Sequence, residues 1–173
     1  MKYSVPLAAI LLLVPLFFAQ TIQAVLPSCS GKVLRVYDGD TIKVEKIGKV
    51  RLLGIDTPER ESSDRDRYYL RRGVCFETLR RMAAESREFV TRNASGVVVT
   101  LTFDSDAYDR HGRLLAYVYL PDGRLLNRML LEAGLASVYR RFDFNLKTDF
   151  IQAEKMARSR SLGLWADVKK CRD

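Results

Sequence analysis

Residues 33–55 constrain the fold more than any other stretch of the chain. They hold three short β-rich runs, 33–37, 41–45 and 50–55, in which Val, Ile and Leu partly alternate with charged residues. Between the first two runs lies Asp38-Gly39, and between the second and third lies Lys46-Ile-Gly-Lys49, both of which are turn chemistry. Strands joined by such short turns form a three-stranded meander. The first turn carries one acid more than it needs. In Tyr37-Asp-Gly-Asp-Thr41 the pair Asp38-Gly39 suffices for a tight reversal, with Gly39 supplying positive φ, and Asp40 is surplus.

The remaining pattern extends this start. An amphipathic helix is predicted over 69–93, with Cys75, Leu79, Met82, Ser86 and Phe89 at three-to-four spacing and Arg and Glu opposite. Strands follow at 96–103 and 114–120, then the turn Pro121-Asp-Gly123. Asn127 is placed to cap a short helix through Ala133, with Gly134 just past its end, and a last helix over 147–160 is stopped by Gly163. The polar run 60–68 reads as a mobile rim loop. Three strands, a helix, two strands and then helices, with no βαβ alternation, point to an α+β fold: a small closed or half-closed five-stranded barrel with three helices on it.

Lys2 followed by the apolar run 8–19 reads as the charged start and core of a secretory signal, too short to span a bilayer comfortably. The small residue Ala24 places the cut after it. The expected organisation is therefore a leader over 1–24 and a single exported domain over 25–173. The alternative is Leu26-Pro-Ser-Cys29, which loosely resembles a lipoprotein processing box and would anchor the protein through a lipid on Cys29.

The chain has 29 Lys and Arg against 21 Asp and Glu, a net charge of +8, and only Lys2 of these falls in the leader. Such a surface attracts polyanions. One histidine and three cysteines without C-x-x-C spacing cannot build a zinc site. Cys75 falls on the apolar face of the predicted helix and reads as a small buried hydrophobe. Cys29 and Cys171 then remain as a disulfide pair joining the two ends, with Cys75 as the alternative partner of either.

The surplus acid has company in Arg51-Leu-Leu-Gly-Ile-Asp-Thr-Pro-Glu59, where a strand runs into two more carboxylates. Folding 41–55 as a hairpin about Gly48 returns Asp40 beside the end of that strand, so Asp40 and Asp56 become neighbours. Two close carboxylates repel unless a cation lies between them, and all-oxygen ligation suits Ca²⁺ or Mg²⁺. Asp109-Arg-His-Gly-Arg113 adds a second guanidinium to that of Arg51, and two such forks suit a phosphate whose charge grows during attack. His111, alone in its loop, reads as a substrate contact or plain surface. One geometric conflict stands out: strict alternation points Arg51 and Asp56 to opposite faces, so a twist or bulge at Gly54 must reunite them.

Taken in order, D-G-D-T, R-L-L-G-I-D-T-P-E, D-R-H-G-R, L-L-E-A-G-L-A and the closing G-L-W give a chain that resembles the thermonucleases of the staphylococcal nuclease family from about Gly31 to Trp165. The resemblance implies an OB-fold barrel with three helices and a Ca²⁺-dependent endonuclease that hydrolyses DNA and RNA phosphodiesters to leave 3′-phosphate ends. It implies that Asp40 and Asp56 bind the calcium through their carboxylates and Thr57 through its carbonyl. It also implies that Glu59 activates water and that Arg51 and Arg113 hold the scissile phosphate.

Departures from the family pattern fall on the base-binding side, where Arg110-His111 replaces a Lys-Tyr pair and the aromatic stretch reads Tyr139-Arg-Arg-Phe142. They bear on base preference and on the ratio of RNA to DNA, not on the reaction class. The competing class is a catalytically inactive basic OB-fold module that only binds nucleic acid. A retired site is expected to have lost one of Asp40, Arg51, Asp56, Glu59 and Arg113, and all five are present. No stable protein partner is implied, and a monomer is the default expectation.

Overall fold

The computed structural model describes residues 28–104, 108–166 and 168. The leader and Cys171 lie outside the described residues. The meander forms as β1 (Ser28–Val36), β2 (Thr41–Val44) and β3 (Gly48–Leu52), with Val36 opposite Ile42, and Ile42 opposite Val50. These three and Val33, Val44 and Leu52 point inward and are buried, so one face of the ribbon becomes core by simple alternation. The register between β1 and β2 slips between Val33 and Arg35, a bulge that lets Val33 and Val36 both face inward although they are three residues apart.

The chain continues through the two-residue β4 (Ile55–Asp56), the helices α1 (Asp66–Leu70) and α2 (Phe76–Ala94), then β5 (Val98–Thr102) and β6 (Leu114–Tyr119). Helix α3 (Leu126–Glu132), the short β7 (Ser137–Val138), α4 (Lys147–Ser159) and a 3₁₀ turn (Gly163–Trp165) complete it. Strands β1, β2, β3, β6 and β5 close in that order into a barrel. Only β3 and β6 run parallel, and β5 closes the ring against β1 from Ser28↔Thr102 to Lys32↔Val98. Closure leaves none of the five with a bare edge, the arrangement expected of an OB-type barrel. Outside it, β4 pairs with β7, Ile55 opposite Val138 and Asp56 opposite Ser137.

The helices depart from expectation in ways that matter for the site. The stretch expected to be one helix over 69–93 is two, broken at Gly73 (φ 82°) and at Cys75, whose extended backbone (φ −71°, ψ 153°) precedes α2. The described residues thus hold four α-helices instead of three. Cys75 lies off the apolar face and is disulfide-bonded, its partner lying outside the described residues. Cys29, in β1 opposite Leu101, is a free thiol, so the expected Cys29–Cys171 bond does not form. The second half of the polar run 60–68 is built into structure: Asp66 opens α1, is buried, and pairs with Arg80 at 2.5 Å.

Asn127 caps nothing. It is fully buried within α3, where its amide donates to the carbonyls of Leu53 (2.9 Å) and Ala116 (3.2 Å) and its oxygen accepts the Val118 N–H at 2.9 Å. These bonds rivet α3 to the β3–β6 side of the barrel, a buried network in which every polar atom of the side chain is used. Helix α4 stops at Ser161 (φ 52°), where the Leu162 N–H returns to the Ala157 carbonyl at 3.0 Å, and Gly163 instead opens the 3₁₀ turn.

Candidate active site

Asp40 is 3% exposed, held in the β1–β2 connection by contacts on every side. Gly39 before it does not adopt positive φ. A Cβ there would lie 2.3 Å from Ser86 Oγ and 2.8 Å from Thr57 Cγ2, so glycine is required because α2 and the Thr57 segment crowd the turn, not for its φ. Pairing of Thr41 with Arg51, and the Leu52 N–H donating to the Asp40 carbonyl at 2.8 Å, bring the acid back beside the end of β3 as the hairpin demands. Its Oδ1 accepts from the Thr41 hydroxyl at 3.0 Å and from the Arg51 guanidinium, and its Oδ2 accepts from the Thr57 N–H (3.0 Å) and hydroxyl (3.1 Å). Asp38 accepts the Asp40 N–H at 3.0 Å, and burial, followed by the Asp40 charge, pushes its carboxyl up to about 6.

The conflict between Arg51 and Asp56 is resolved where the sequence suggested. Gly54 takes φ 78°, β3 ends at Leu52, and the chain re-pairs as β4 with a different partner strand, β7. Asp56 is thereby turned to the same side as Arg51, Nη2 to Oδ1 3.0 Å. One guanidinium spans both buried carboxylates. Burial and then Asp40 raise the Asp56 carboxyl above its usual range, while Arg65 and Arg51 oppose them. Burial works against the Arg51 charge, but Asp40 and Asp56 more than restore it.

Two partners of Asp56 escaped the sequence reading. Arg65 pairs with its Oδ2, and the buried Tyr69 hydroxyl lies 2.9 Å from its carbonyl and 3.1 Å from Oδ2 while accepting from Ser137 Oγ at 3.1 Å. The one available signal was the spacing of Arg65 and Tyr69, which places them on one side of a helical turn. The sequence pattern instead divides them, Arg65 in the polar run 60–68 and Tyr69 at the start of the predicted helix.

Glu59 stands exposed on the wall of a cleft of about 1050 Å³ that Arg51, Asp56 and Arg113 also line. Its side chain makes no hydrogen bond or ion pair with a described residue. Although solvent reaches Glu59, partial desolvation by the cleft walls, followed by the Asp40 and Asp56 charges, raises its carboxyl, with Arg51 and Arg65 opposing. Arg113 is oriented by Asp109, which receives its Nε and Nη2 on Oδ2, each at 2.7 Å, and the N–H groups of His111 (2.8 Å) and Arg113 (3.0 Å) on Oδ1. His111 accepts from Arg110 Nε at 3.1 Å and lines the same cleft. Tyr139 and Phe142, 5.1 Å apart, form an aromatic shelf on it, with the Arg65 guanidinium 5.0 Å above the Tyr139 ring.

Thus Asp40, Arg51, Asp56 and Thr57 are in direct contact, and Glu59 and Arg113 face the cleft beside them. Among the described residues no group of three or more His, Cys, Asp and Glu side chains could hold a metal ion, so a cation here would rest on two carboxylates together with backbone and solvent oxygens. A basic OB-type barrel with two oriented guanidinium forks, an unpaired carboxylate and an aromatic shelf in one cleft defines a class of protein that handles phosphodiesters.

The profile of the family described as "Staphylococcal nuclease homologue" matches residues 49–167, a span that holds Arg51, Asp56, Thr57, Glu59 and Arg113. The chain is 36% identical to an uncharacterised protein of Methanocaldococcus jannaschii, over 78% of this chain and 70% of that one. It is 34% identical to an uncharacterised endonuclease of Escherichia coli O157:H7 over 80% and 78% of the two chains, and 32% identical to the thermonuclease of Staphylococcus hyicus over 79% and 75%. The chain belongs to the staphylococcal nuclease family, and it is a nuclease, a phosphodiester hydrolase.

Proposed function

We propose that this nuclease is an exported, Ca²⁺-dependent, sugar-nonspecific enzyme that cuts DNA and RNA and leaves 3′-phosphate ends. The observation that carries the reading is the convergence of two buried carboxylates, Asp40 and Asp56, on Arg51 at the edge of a cleft that also presents Glu59 and Arg113. The donor set fits a hard divalent cation. Its atoms are oxygens, and the two buried acids, bridged by Arg51 with Arg65 also on Asp56, lie close enough for a shared cation to relieve their repulsion. Asp40 and Asp56, with the Thr57 carbonyl, would hold the ion, which when bound supplies charge neutralisation for the phosphate.

The chain's own residues supply the rest. Arg51 and Arg113 each present a guanidinium edge able to take two non-bridging oxygens of one phosphate, and charge growing on those oxygens strengthens both contacts. Glu59 has no hydrogen-bond or ion-pair partner among the described residues and can accept the proton of an attacking water. The new P–O bond forms as the P–O5′ bond breaks; the water proton passes to Glu59, and the departing 5′-oxygen takes a proton from solvent in the open cleft. A 3′-phosphate and a 5′-hydroxyl result. The groups named address phosphate and water and leave the 2′-position of the sugar unread, which supports action on both nucleic acids.

Incubating the purified protein with single-stranded DNA or RNA in calcium, then in excess chelator, tests this reading. Cutting in calcium alone, with products a polymerase extends only after phosphatase treatment, is the expected result. Undiminished cutting in chelator would remove the calcium mechanism, and ends extended without phosphatase would reverse the cleavage polarity. Export through the 1–24 leader is part of the proposal. Cys29 is half-buried within β1 and packed against the core, which supports plain processing over lipidation at that thiol. N-terminal mass analysis of the mature protein from its native host decides between them.

A further inference from the structure

The bulge in β1 has a second consequence. It sets Arg35 opposite Lys43, and Lys43 is opposite Lys49 on β3, so three cations stand in one row across three strands. All three are exposed, as are Lys32 and Lys46 nearby. Like charges directly opposite each other in a sheet are destabilising. None of the five is in an ion pair with a described residue, and the exposed Glu45 beside them pairs with none, whereas Arg80, Arg140, Arg158 and Lys147 each hold an acid at 2.5–2.7 Å. The row is also ordered: Arg35 and Lys49 both lie 5.0 Å from the Tyr37 ring, which draws their heads together through cation–π attraction.

Its position relates it to the reaction. Val50 and Leu52 are buried, so Lys49 and Arg51 share the outer face of β3, about 7 Å apart along the strand. Tyr37 lies one residue before Asp38, at the mouth of the acid turn. The cations therefore continue outward from the scissile site along a single sheet face.

We propose that the outer face of β1–β3, built from Arg35, Lys43, Lys49 and Tyr37, is a substrate subsite that binds the phosphates of the single strand running out of the cleft. Repulsion within the row is relieved when a polyanion lies on it, so an arrangement unfavourable in the free protein becomes favourable in the complex. The inference rests on Arg51 holding the scissile phosphate.

Lys43→Gln/Lys49→Gln tests it, with oligothymidylate and a thymidine dinucleotide as substrates. The expected result is a KM for oligothymidylate raised by roughly tenfold, with kcat and all dinucleotide kinetics unchanged and the salt dependence of log KM shallower by about 1.4, two contacts at ~0.7 each. Thermal stability is expected to stay level or rise, since a repulsive pair is removed. An unchanged oligothymidylate KM, or an equal rise for both substrates, overturns the subsite. Arg51→Lys, measured on the dinucleotide, reports on the site itself: near-native turnover there would overturn the role of Arg51 and this inference with it.

Discussion

Gly39 and Glu59 are the residues where a single change separates packing from chemistry. At Gly39 there is no space: an added Cβ meets Ser86 Oγ at 2.3 Å and Thr57 Cγ2 at 2.8 Å. Gly39→Ala is expected to cost about 1–3 kcal/mol in denaturant unfolding and to lower activity, because Thr57 must shift away from Asp40. Adding Ser86→Gly opens the space and restores part of both, although glycine within α2 itself costs up to about 1 kcal/mol. An unaltered unfolding midpoint in the single variant would show that the turn can give way freely. Glu59 is the opposite case, since no described residue leans on it. Glu59→Gln is expected to lower kcat by roughly 10²-fold or more with substrate binding and thermal stability intact, and turnover near the native rate would take the base role from it.

The loop between β5 and β6 is the element that aims Arg113, and Asp109 is its centre. The Asp109 N–H donates to the Arg113 carbonyl and the Gly112 N–H to the Asp109 carbonyl, each at 3.0 Å, while the carboxylate gathers the guanidinium. Burial works against the ionised carboxylate but is outweighed by the Arg113 and His111 donors, so its pKa lies below the usual value. A depressed folded-state pKa means stability that is present above the unfolded value and lost as pH falls through the folded one. The stability advantage of the native protein over Asp109→Asn is therefore expected to be level above about pH 5 and to shrink below about pH 4. The variant is also expected to lose kcat/KM at neutral pH, because Arg113 is no longer steered. Equal kcat/KM, with a stability difference that ignores pH, would leave Asp109 without that function.

At the scale of the whole molecule the covalent link falls at Cys75, ahead of α2, and not at Cys29 in the barrel wall. Cys75→Ala is expected to cost about 2–5 kcal/mol, the usual range for losing a native disulfide. Reduction is expected to lower the Tm of the native protein and of Cys29→Ala alike, and to leave Cys75→Ala unchanged. A Cys29→Ala variant that had lost its response to reductant would move the bond to the barrel.

The barrel strands and the acid pair are legible in the residues alone, because both rest on short-range rules. Alternation decides which face of β1–β3 is buried, and a hairpin about Gly48 leaves Asp40 beside β3 whatever the rest of the chain does. Alternation also locates the fault at Gly54. How that fault is used depends on distant packing: β4 changes partner to β7, some eighty residues away, and no local pattern in Ser137-Val138 announces a strand of two residues. Arg65 and Tyr69 were hidden for the same reason, since α1 is held by contacts such as Arg80–Asp66 and Tyr69–Ser137 and not by its own propensity. Asn127 looked like a cap because its neighbours suggested a helix start; its burial depends on carbonyls of β3 and β6 that come to it only when the barrel has closed. What depends on spacing along the chain is legible in the sequence, and what depends on which distant surface fills the remaining space is not.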